Sequence, residues 1–310
     1  MQLYKSRSFG DYFSDTFSFI KNNGKHFYRN YFLINGIFIL ILLIMTYFFG
    51  RMYSTFLASS MGTGTGTMST YMEDNLVGFA LFFFLFMIVF VLIVIINYAY
   101  TPVYFILYEE KNGNDFTSKD LINALKKRFG KVILYTFASL LISIPLLIIA
   151  GIAVVGLAVT MIGIPLILIV FGWLGLFYYI AFIEYLKSDK GVFECFSYSF
   201  SLSFKKFWAT TGCIALFYLM IQVVQTVITL VPYLLGFASI YSGFEVSDDP
   251  MQGNTSTFVG MLTLVYMISF FLNLFLSTVL ETNQSIIYYS LKEENENIHS
   301  TSVIDEIGNS

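Results

Sequence analysis

VILYTFASLLISIPLLIIAGIAVVGLAVTMIGIPLILIVFGWLGLFYYIAFI, residues 132–183, contains no Asp, Glu, Lys or Arg. An α-helix rises about 1.5 Å per residue and a bilayer core is about 30 Å thick, so about 20 apolar residues make one span. This stretch is too long for one span and suits two spans joined by a tight turn. Glycine and proline interrupt helices, and Gly156, Gly163 and Pro165 place that turn at about 155–163.

Four further charge-free windows extend this pattern over the chain, at 30–50, 75–108, 207–244 and 250–280. Together the windows predict six spans, at about 31–50, 76–100, 132–154, 163–183, 209–235 and 258–280. Composition agrees, because 57% of the 310 residues are hydrophobic and 12% are charged, whereas soluble domains are about 45–50% apolar and about 25% charged. The sequence therefore predicts an all-α, polytopic membrane helix bundle.

The basic residues predict the orientation of these spans. Of the 17 Lys and Arg residues, all but Arg51 fall before span 1, between spans 2 and 3, between spans 4 and 5, or after span 6. Cytoplasmic loops of membrane proteins are enriched in Lys and Arg. Both termini are therefore expected in the cytoplasm and the protein in a bacterial inner membrane. The N-terminal residues lack the pattern of a cleaved signal peptide.

An amphipathic segment precedes each odd-numbered span. Before the fifth span, phenylalanines recur at steps of three and four, which places them on one face of a helix. They are Phe193, Phe196, Phe200, Phe204 and Phe207. Residues 117–129 and 9–20 repeat the pattern before the third and first spans, and Thr117 with Asp120 predicts a capping box. Segments this short and polar are expected to lie in the cytoplasmic membrane interface.

The even-numbered spans also end alike, in VYFILYEEK (103–111), IAFIEYLK (180–187) and SIIYYSLKEE (285–294). We interpret 1–295 as one membrane domain of three helical hairpins, each preceded by an interfacial helix, with repeats at about 8–112, 113–189 and 190–295. A polar cytoplasmic tail, 296–310, follows. Basic residues of the interfacial segments are predicted to contact lipid phosphates. They are Lys21, Lys25, Lys126, Lys127, Arg128, Lys205 and Lys206.

This layout and the exit YYSLKEENEN (288–297) carry a family resemblance. The chain resembles the six-helix bacterial superfamily named for the membrane domain of glycerophosphoryl diester phosphodiesterases. In that family the last span ends in Tyr-Tyr-x-Leu followed by charges, which Tyr288, Tyr289 and Leu291 match. The resemblance implies a six-helix fold, and many members are stand-alone proteins of unknown role. The chain has no catalytic phosphodiesterase domain, so the resemblance implies no such activity.

Candidate chemistry is sparse. Polar residues inside spans are the usual place to look for function, and a candidate polar pathway comprises Asn97, Gln222, Gln225, Thr229, Asn273 and Glu281. Hydrogen bonding between helices is the favoured alternative for the neutral members. Glu281 could carry protons or bind a cation, but we favour its pairing with Lys or Arg at the cytoplasmic interface. Cys195 and Cys213 are expected to be free and packed.

Neither histidine, His26 or His299, has a catalytic pattern around it, so no enzyme, metal or cofactor is expected. The glycine-rich GTGTGTM (62–68) lacks the Lys-Ser/Thr of a phosphate-binding loop, and the acidic loop residues Glu245, Asp248 and Asp249 are expected to be solvated. The favoured function is a non-enzymatic scaffold or accessory protein with lipid contacts. Its partners are membrane lipids and other membrane proteins, not nucleic acid. The alternatives are a transporter or channel for small molecules or lipids, and, third, a membrane enzyme acting on lipid.

Overall fold

A computed structural model of the chain describes residues 1–60, 68–160, 163–242 and 250–298. These ranges contain seven helices and no strand, which confirms the all-α prediction. The helices are α1 Phe9–Ser60, α2 Met68–Glu110, α3 Ser118–Ala158, α4 Gly163–Lys187, α5 Val192–Ser203, α6 Phe207–Ser242 and α7 Pro250–Glu296. The predicted glycine-rich loop at 62–68, except Met68, which begins α2, the predicted acidic loop at 245–249 and most of the predicted tail lie outside the described residues.

Five helical stretches of the described residues are long and apolar enough to cross a membrane, where the sequence predicted six. They are Phe9–Phe48, Ala80–Glu110, Ser118–Ala158, Pro165–Lys187 and Phe207–Leu230. The sixth predicted span, 258–280, is helical within α7, but its first six side chains lie outside the described ones. The chain is therefore a multi-pass membrane protein of apolar helices, with five candidate spans in its described part.

The prediction of three separate interfacial helices is wrong for the first two. The segments 9–20 and 117–129 are the N-terminal parts of α1 and α3, which continue without interruption into the spans. No proline interrupts 9–34, and its buried face continues at helical spacing. That face includes Tyr12, Thr16, Phe19, Asn23, Phe27, Tyr31 and Ile34. A continuous buried face favours one long helix over two short ones.

The third interfacial helix, α5, is separate as predicted. It ends at Ser203, and Lys206 adopts a left-handed conformation, with φ of 49°, before α6 begins. Non-glycine residues rarely adopt this conformation inside a helix, so the chain turns here. The buried face of α5 packs against α4 and α3, whereas Phe193, Phe200 and Phe204 are exposed. Three of the five predicted phenylalanines therefore share an exposed face, whereas Phe196 belongs to the buried face of α5.

Two other local predictions are confirmed. Thr117 caps α3 by accepting from the backbone N–H of Asp120, whose side chain accepts in return from the backbone of Thr117. The turn predicted at 155–163 corresponds to the end of α3 at Ala158 and the start of α4 at Gly163.

Helix α4 lies close to α6, because a Cβ on Gly175 would stand 2.9 Å from the Tyr218 hydroxyl oxygen. Small residues permit such approaches between membrane helices.

The predicted single membrane domain divides into two compact units. Unit 1 comprises Met1–Ile34, Asn97–Ile221 and the chain from Ser277, and unit 2 comprises Asn35–Ile96 and Gln222–Leu276. Tyrosines fill much of the interior of unit 1, where six of the described ones are 0% exposed: Tyr12, Tyr100, Tyr104, Tyr179, Tyr288 and Tyr289. Unit 2 has an aliphatic and phenylalanine interior, including a contact between Phe90 and Phe270 with ring centroids 6.1 Å apart.

Candidate functional site

The three exit segments of the sequence converge on one cluster of charged and phenolic side chains in unit 1, here called the charged cluster. Glu109 comes from α2, Glu184 and Lys187 from α4, and three side chains from α7. The α7 members are Tyr288, Tyr289 and Lys292. The repeated pattern of aromatic residues followed by charge thus marks helix ends that meet.

Glu184 is the most enclosed acid of the charged cluster, with 1% of its surface exposed. Its Oε2 accepts from Lys292 Nζ at 2.7 Å and from the Tyr288 hydroxyl at 2.6 Å, and its Oε1 accepts from Lys190 Nζ at 2.9 Å. Buried carboxylates need such partners to offset their loss of hydration. The hydrogen bond from Lys190 to Glu184 raises the pKa of Lys190, because it favours the charged ammonium.

Glu109 forms the other half of the charged cluster. Its Oε1 accepts from Lys187 Nζ at 2.6 Å, and its Oε2 accepts from the Tyr289 hydroxyl at 2.9 Å. Tyr4, from the N-terminal segment, donates to Oε1 at 2.9 Å. The ammonium of Lys187 lies 4.9 Å from the ring centroid of Tyr4 and 5.0 Å from that of Tyr289. Each carboxylate of the cluster is therefore paired with at least one ammonium group.

The segment before α1, residues 1–8, contacts the charged cluster through Tyr4 and is held in shape by Arg7, which the sequence alone did not single out. This guanidinium is buried and donates to three backbone carbonyls, those of Gln2 at 2.7 Å, Leu3 at 2.7 Å and Lys5 at 3.1 Å. It also pairs with Asp15 at 2.8 Å. Tyr4 is thereby held over Glu109, and burial, followed by this carboxylate, raises the pKa of Tyr4. A half-open cleft of about 190 Å³ lies between this segment and the end of α2.

His26 connects α1 to α2 and to the segment that precedes α3. One ring nitrogen lies 2.8 Å from the Tyr104 hydroxyl and the other lies 2.9 Å from the Phe116 carbonyl oxygen. Asn30, one turn later, accepts from the Ser118 hydroxyl at 2.8 Å. The surroundings of His26 are those of a structural residue that joins two helices, since its partners are a phenol, an amide and a carbonyl.

The seven predicted lipid-contacting residues fall into two groups. Lys21, Lys25, Lys126 and Lys127 are exposed and form no ion pair with any described residue. Arg128 instead contacts Glu110 and the Leu186 carbonyl, at 3.1 and 3.4 Å. Lys205 donates to Asn295, and Lys206 pairs with Glu294 and donates to the Arg7 carbonyl at 3.1 Å. Helices α1 and α3 therefore carry the unpaired lysines, while the basic residues between α5 and α6 bind the end of α7.

On both helices the exposed surface changes abruptly from basic to apolar. On α1, Lys21, Lys25 and Arg29 are exposed at successive steps of four, and Phe32 and Leu33 are exposed immediately beyond them. On α3, Lys126 and Lys127 precede a longer exposed apolar face. It includes Phe129, Leu134, Phe137, Leu140, Leu141 and Ile144. Such a change is typical of the boundary between lipid headgroups and acyl chains.

The candidate polar pathway does not form a single described site. Asn97, in unit 1, accepts from the Tyr31 hydroxyl at 2.5 Å and donates to Ser277 at 3.2 Å. The other amides and the threonine belong to unit 2. There Gln222 and Asn273 are exposed, Thr229 donates to the carbonyl of Gln225 in its own helix, and the Gln225 amide nitrogen is buried without a partner. Hydrogen bonding between helices, the favoured alternative, is observed for Asn97.

Glu281, the last candidate of the pathway, is buried in unit 1, with 5% of its surface exposed. No described Lys, Arg or His forms an ion pair with it, and its Oε2 has no hydrogen-bond partner. The expected pairing with Lys or Arg is therefore wrong within the described residues. The cation nearest to it along α7, Lys292, bonds to Glu184 instead.

The two cysteines are free and buried, as predicted. Cys213 lies beside the buried amide of Asn283, which also donates to the Tyr12 carbonyl at 3.2 Å and to Thr16 at 3.0 Å. Within the described ranges, no group of three or more His, Cys, Asp or Glu side chains could hold a metal ion. Comparisons with protein-family models, curated proteins and solved structures return no match for this chain.

Proposed function

We propose that the protein is a non-enzymatic scaffold or accessory protein of the bacterial inner membrane, anchored to anionic lipid headgroups on its cytoplasmic side. The observation that carries this proposal is the change from unpaired lysines to exposed apolar residues along α1 and α3. A basic residue near an anionic leaflet contributes about 1 kcal/mol to membrane attraction. Lys21, Lys25, Lys126 and Lys127 together would therefore contribute about 4 kcal/mol.

The internal pairing of the other basic residues supports the proposal. Lys187, Lys190 and Lys292 are committed to the carboxylates of the charged cluster, so this cluster joins helix ends and leaves little charge for a substrate. Lys21, Lys25, Lys126 and Lys127 have no comparable internal role among the described residues. Their exposure is consistent with a partner outside the chain, and anionic phospholipid supplies the complementary charge.

The proposed topology has six spans in three hairpins, with both termini in the cytoplasm. It is supported by the distribution of Lys and Arg along the sequence and by the helical backbone of α7 through 258–280. On this topology the exposed phenylalanines of α5 and Trp208 lie at the cytoplasmic interface. Tryptophan favours that position because its ring is amphipathic, and phenylalanines on the apolar face of an interfacial helix insert at the boundary between headgroups and acyl chains. The six-helix superfamily named above has the same predicted layout.

Lipid retention tests this proposal. The full-length protein is purified in mild detergent from a bacterial membrane, and bound phospholipids are counted by native mass spectrometry. Lys126→Gln with Lys127→Gln is expected to lose most of the retained phosphatidylglycerol while keeping phosphatidylethanolamine. Lys205→Gln is the control, because this exposed lysine already bonds to Asn295.

Equal retention of phosphatidylglycerol by the wild type and by the double variant would reject the lipid-anchor proposal. Added inorganic phosphate distinguishes a lipid site from a free-anion site, since phosphate at millimolar concentration is expected to leave the bound lipid in place. Loss of lipid to phosphate alone would also count against the proposal.

A further inference from the structure

The chain contains two deeply buried glutamates with opposite surroundings. Glu184 is held by two ammonium groups and a phenol, as described above. Glu281 has no cationic partner in the described part of the chain, and one of its carboxyl oxygens is buried without a hydrogen-bond partner. An unpaired buried carboxylate costs several kcal/mol, so such a group either acquires a counter-ion or takes up a proton.

The groups known to interact with the Glu281 carboxyl among the described residues are neutral hydroxyls. Four helices of unit 1 each place one tyrosine near enough to its carboxyl to interact electrostatically: Tyr31 from α1, Tyr98 from α2, Tyr179 from α4 and Tyr218 from α6. The hydroxyl of Tyr31 itself bonds to Asn97 and that of Tyr179 to Ser285. Thr101, one turn after Tyr98 on α2, lies beside the carboxyl. Phenols and hydroxyls are neutral at physiological pH, so this ring supplies no charge to balance a carboxylate.

Two buried oxygens in this ring lack partners at once, Oε2 of Glu281 and Oγ1 of Thr101. Each is an acceptor whenever the glutamate is ionised and the threonine proton points elsewhere. Turning the threonine proton toward Oε2 would supply one hydrogen bond but would leave the buried negative charge without a counter-ion, whereas a protonated carboxyl donates its O–H to the threonine oxygen and carries no charge. Neutralising the acid also removes the cost of burying its charge.

We propose that Glu281 is a buried proton-binding site of this membrane protein, with the proton held on the carboxyl and donated to the Thr101 hydroxyl at neutral pH. This proposal is independent of the lipid-anchor function, since it concerns the interior of unit 1 and not the lysines of α1 and α3. It assigns a specific chemical role to the one pathway candidate that carries an ionisable group.

Carbodiimide labelling tests the proposal directly. Dicyclohexylcarbodiimide adds to protonated carboxyl groups in apolar surroundings and leaves a stable acylurea, which peptide mass spectrometry locates. The full-length protein in nanodiscs at pH 7 is expected to be labelled at Glu281 and not at Glu184, its ion-paired counterpart. Infrared spectroscopy is expected to show the C=O stretch of a protonated acid, and Glu281→Gln is expected to remove it while Glu184→Gln leaves it in place.

Thr101→Val is the complementary variant, since it removes the proposed acceptor and is expected to shift the position of that infrared band. Absence of both the label and the band in the wild type at pH 7 would overturn the proposal. Protection of Glu281 from the label by sodium chloride but not by choline chloride would also overturn it, because it would show a sodium ion in place of the proton. Should Glu281→Gln not be recovered, the labelled position in the wild type decides alone.

Discussion

Replacing Glu184 by Gln removes the carboxylate that pairs α4 with Lys292 of α7 in the charged cluster. Lys292 is the partner that matters most, because only 10% of its side chain is exposed and its Nζ lies 2.7 Å from the carboxylate. Removing one member of a buried ion pair typically costs about 3–5 kcal/mol, since the remaining charge is left uncompensated. Lys190 adds little, because 43% of its side chain is exposed and exposed pairs contribute about 0–1 kcal/mol.

The amide oxygen of a glutamine can still accept from Tyr288 or from one lysine. We therefore expect the cost of Glu184→Gln to lie near the lower end of the range for breaking a buried ion pair. The predicted loss is about 3 kcal/mol in the free energy of unfolding. Reversible unfolding of the purified protein in mixed micelles, with increasing SDS fraction, measures this quantity. Glu281→Gln is the matched control, because the same substitution at a second buried glutamate removes no ion pair. Its expected change is within about 1 kcal/mol.

A double variant sharpens the test. Lys292→Met in the Glu184→Gln background removes the uncompensated charge, so the double variant is expected to be more stable than Glu184→Gln alone, with a coupling of about 1–3 kcal/mol. The reasoning is refuted if Glu184→Gln unfolds like the wild type. It is equally refuted if Glu281→Gln is as damaging as Glu184→Gln, since the ion pair would then not be the cause.

Three further predictions follow from other contacts. Gly175→Ala is expected to lower the free energy of unfolding by about 1–3 kcal/mol through overpacking, because its Cβ would lie 2.9 Å from a tyrosine hydroxyl of α6. Gly151→Ala is the control and is expected to be neutral or stabilising, because the space around Gly151 is open. The same SDS unfolding measures both. Arg7→Lys cannot reproduce the guanidinium contacts to three carbonyls, so limited proteolysis is expected to cut residues 1–8 several times faster, and unchanged cleavage would contradict this. The pKa of Lys190 is raised in the folded protein by its pairing with Glu184. This pairing therefore stabilises the fold at pH values below the unfolded pKa of about 10.4, and the stabilisation is lost as the pH rises through the higher folded pKa. Lys190→Gln is therefore expected to remove part of the alkaline loss of stability, measured as melting temperature between about pH 9 and pH 12.

The sequence predicted those features of the fold that depend on local composition. The charge-free stretch 132–183 fixes two helices and a turn because the bilayer thickness limits each span, and the phenylalanine spacing fixes α5. The continuation of α1 and α3 was missed because a basic amphipathic segment has the same composition whether it lies in the interface as a separate helix or begins a long one. Buried polar residues such as Asn23 and Asn30, on the inner face of α1, distinguish the two only after the packing is known.

The charged cluster could be recognised only in part. Its α2, α4 and α7 members belong to exit segments whose similarity was visible, yet the similarity was interpreted as repetition and not as convergence. Tyr4 and Arg7 gave no sequence signal, because they act through the backbone carbonyls and the carboxylate that the fold brings near them. Contacts between residues more than 100 positions apart, such as that of Tyr4 with Glu109, depend on tertiary packing that periodicity does not describe.

The two buried glutamates differ in a local sequence signal, which is the distance along the chain to the next lysine. Glu184 has lysines three and six positions later, Lys187 and Lys190, so cations lie within two helical turns of it along the chain. The nearest basic residue after Glu281 is Lys292, three turns away, and the structure directs it to Glu184. The negative charge of a glutamate at the end of an apolar span can be balanced only by a cation at the end of its own helix or of a neighbouring helix. When its own helix offers none and the neighbouring helix ends keep theirs paired, protonation becomes the favourable state, which is the argument for Glu281.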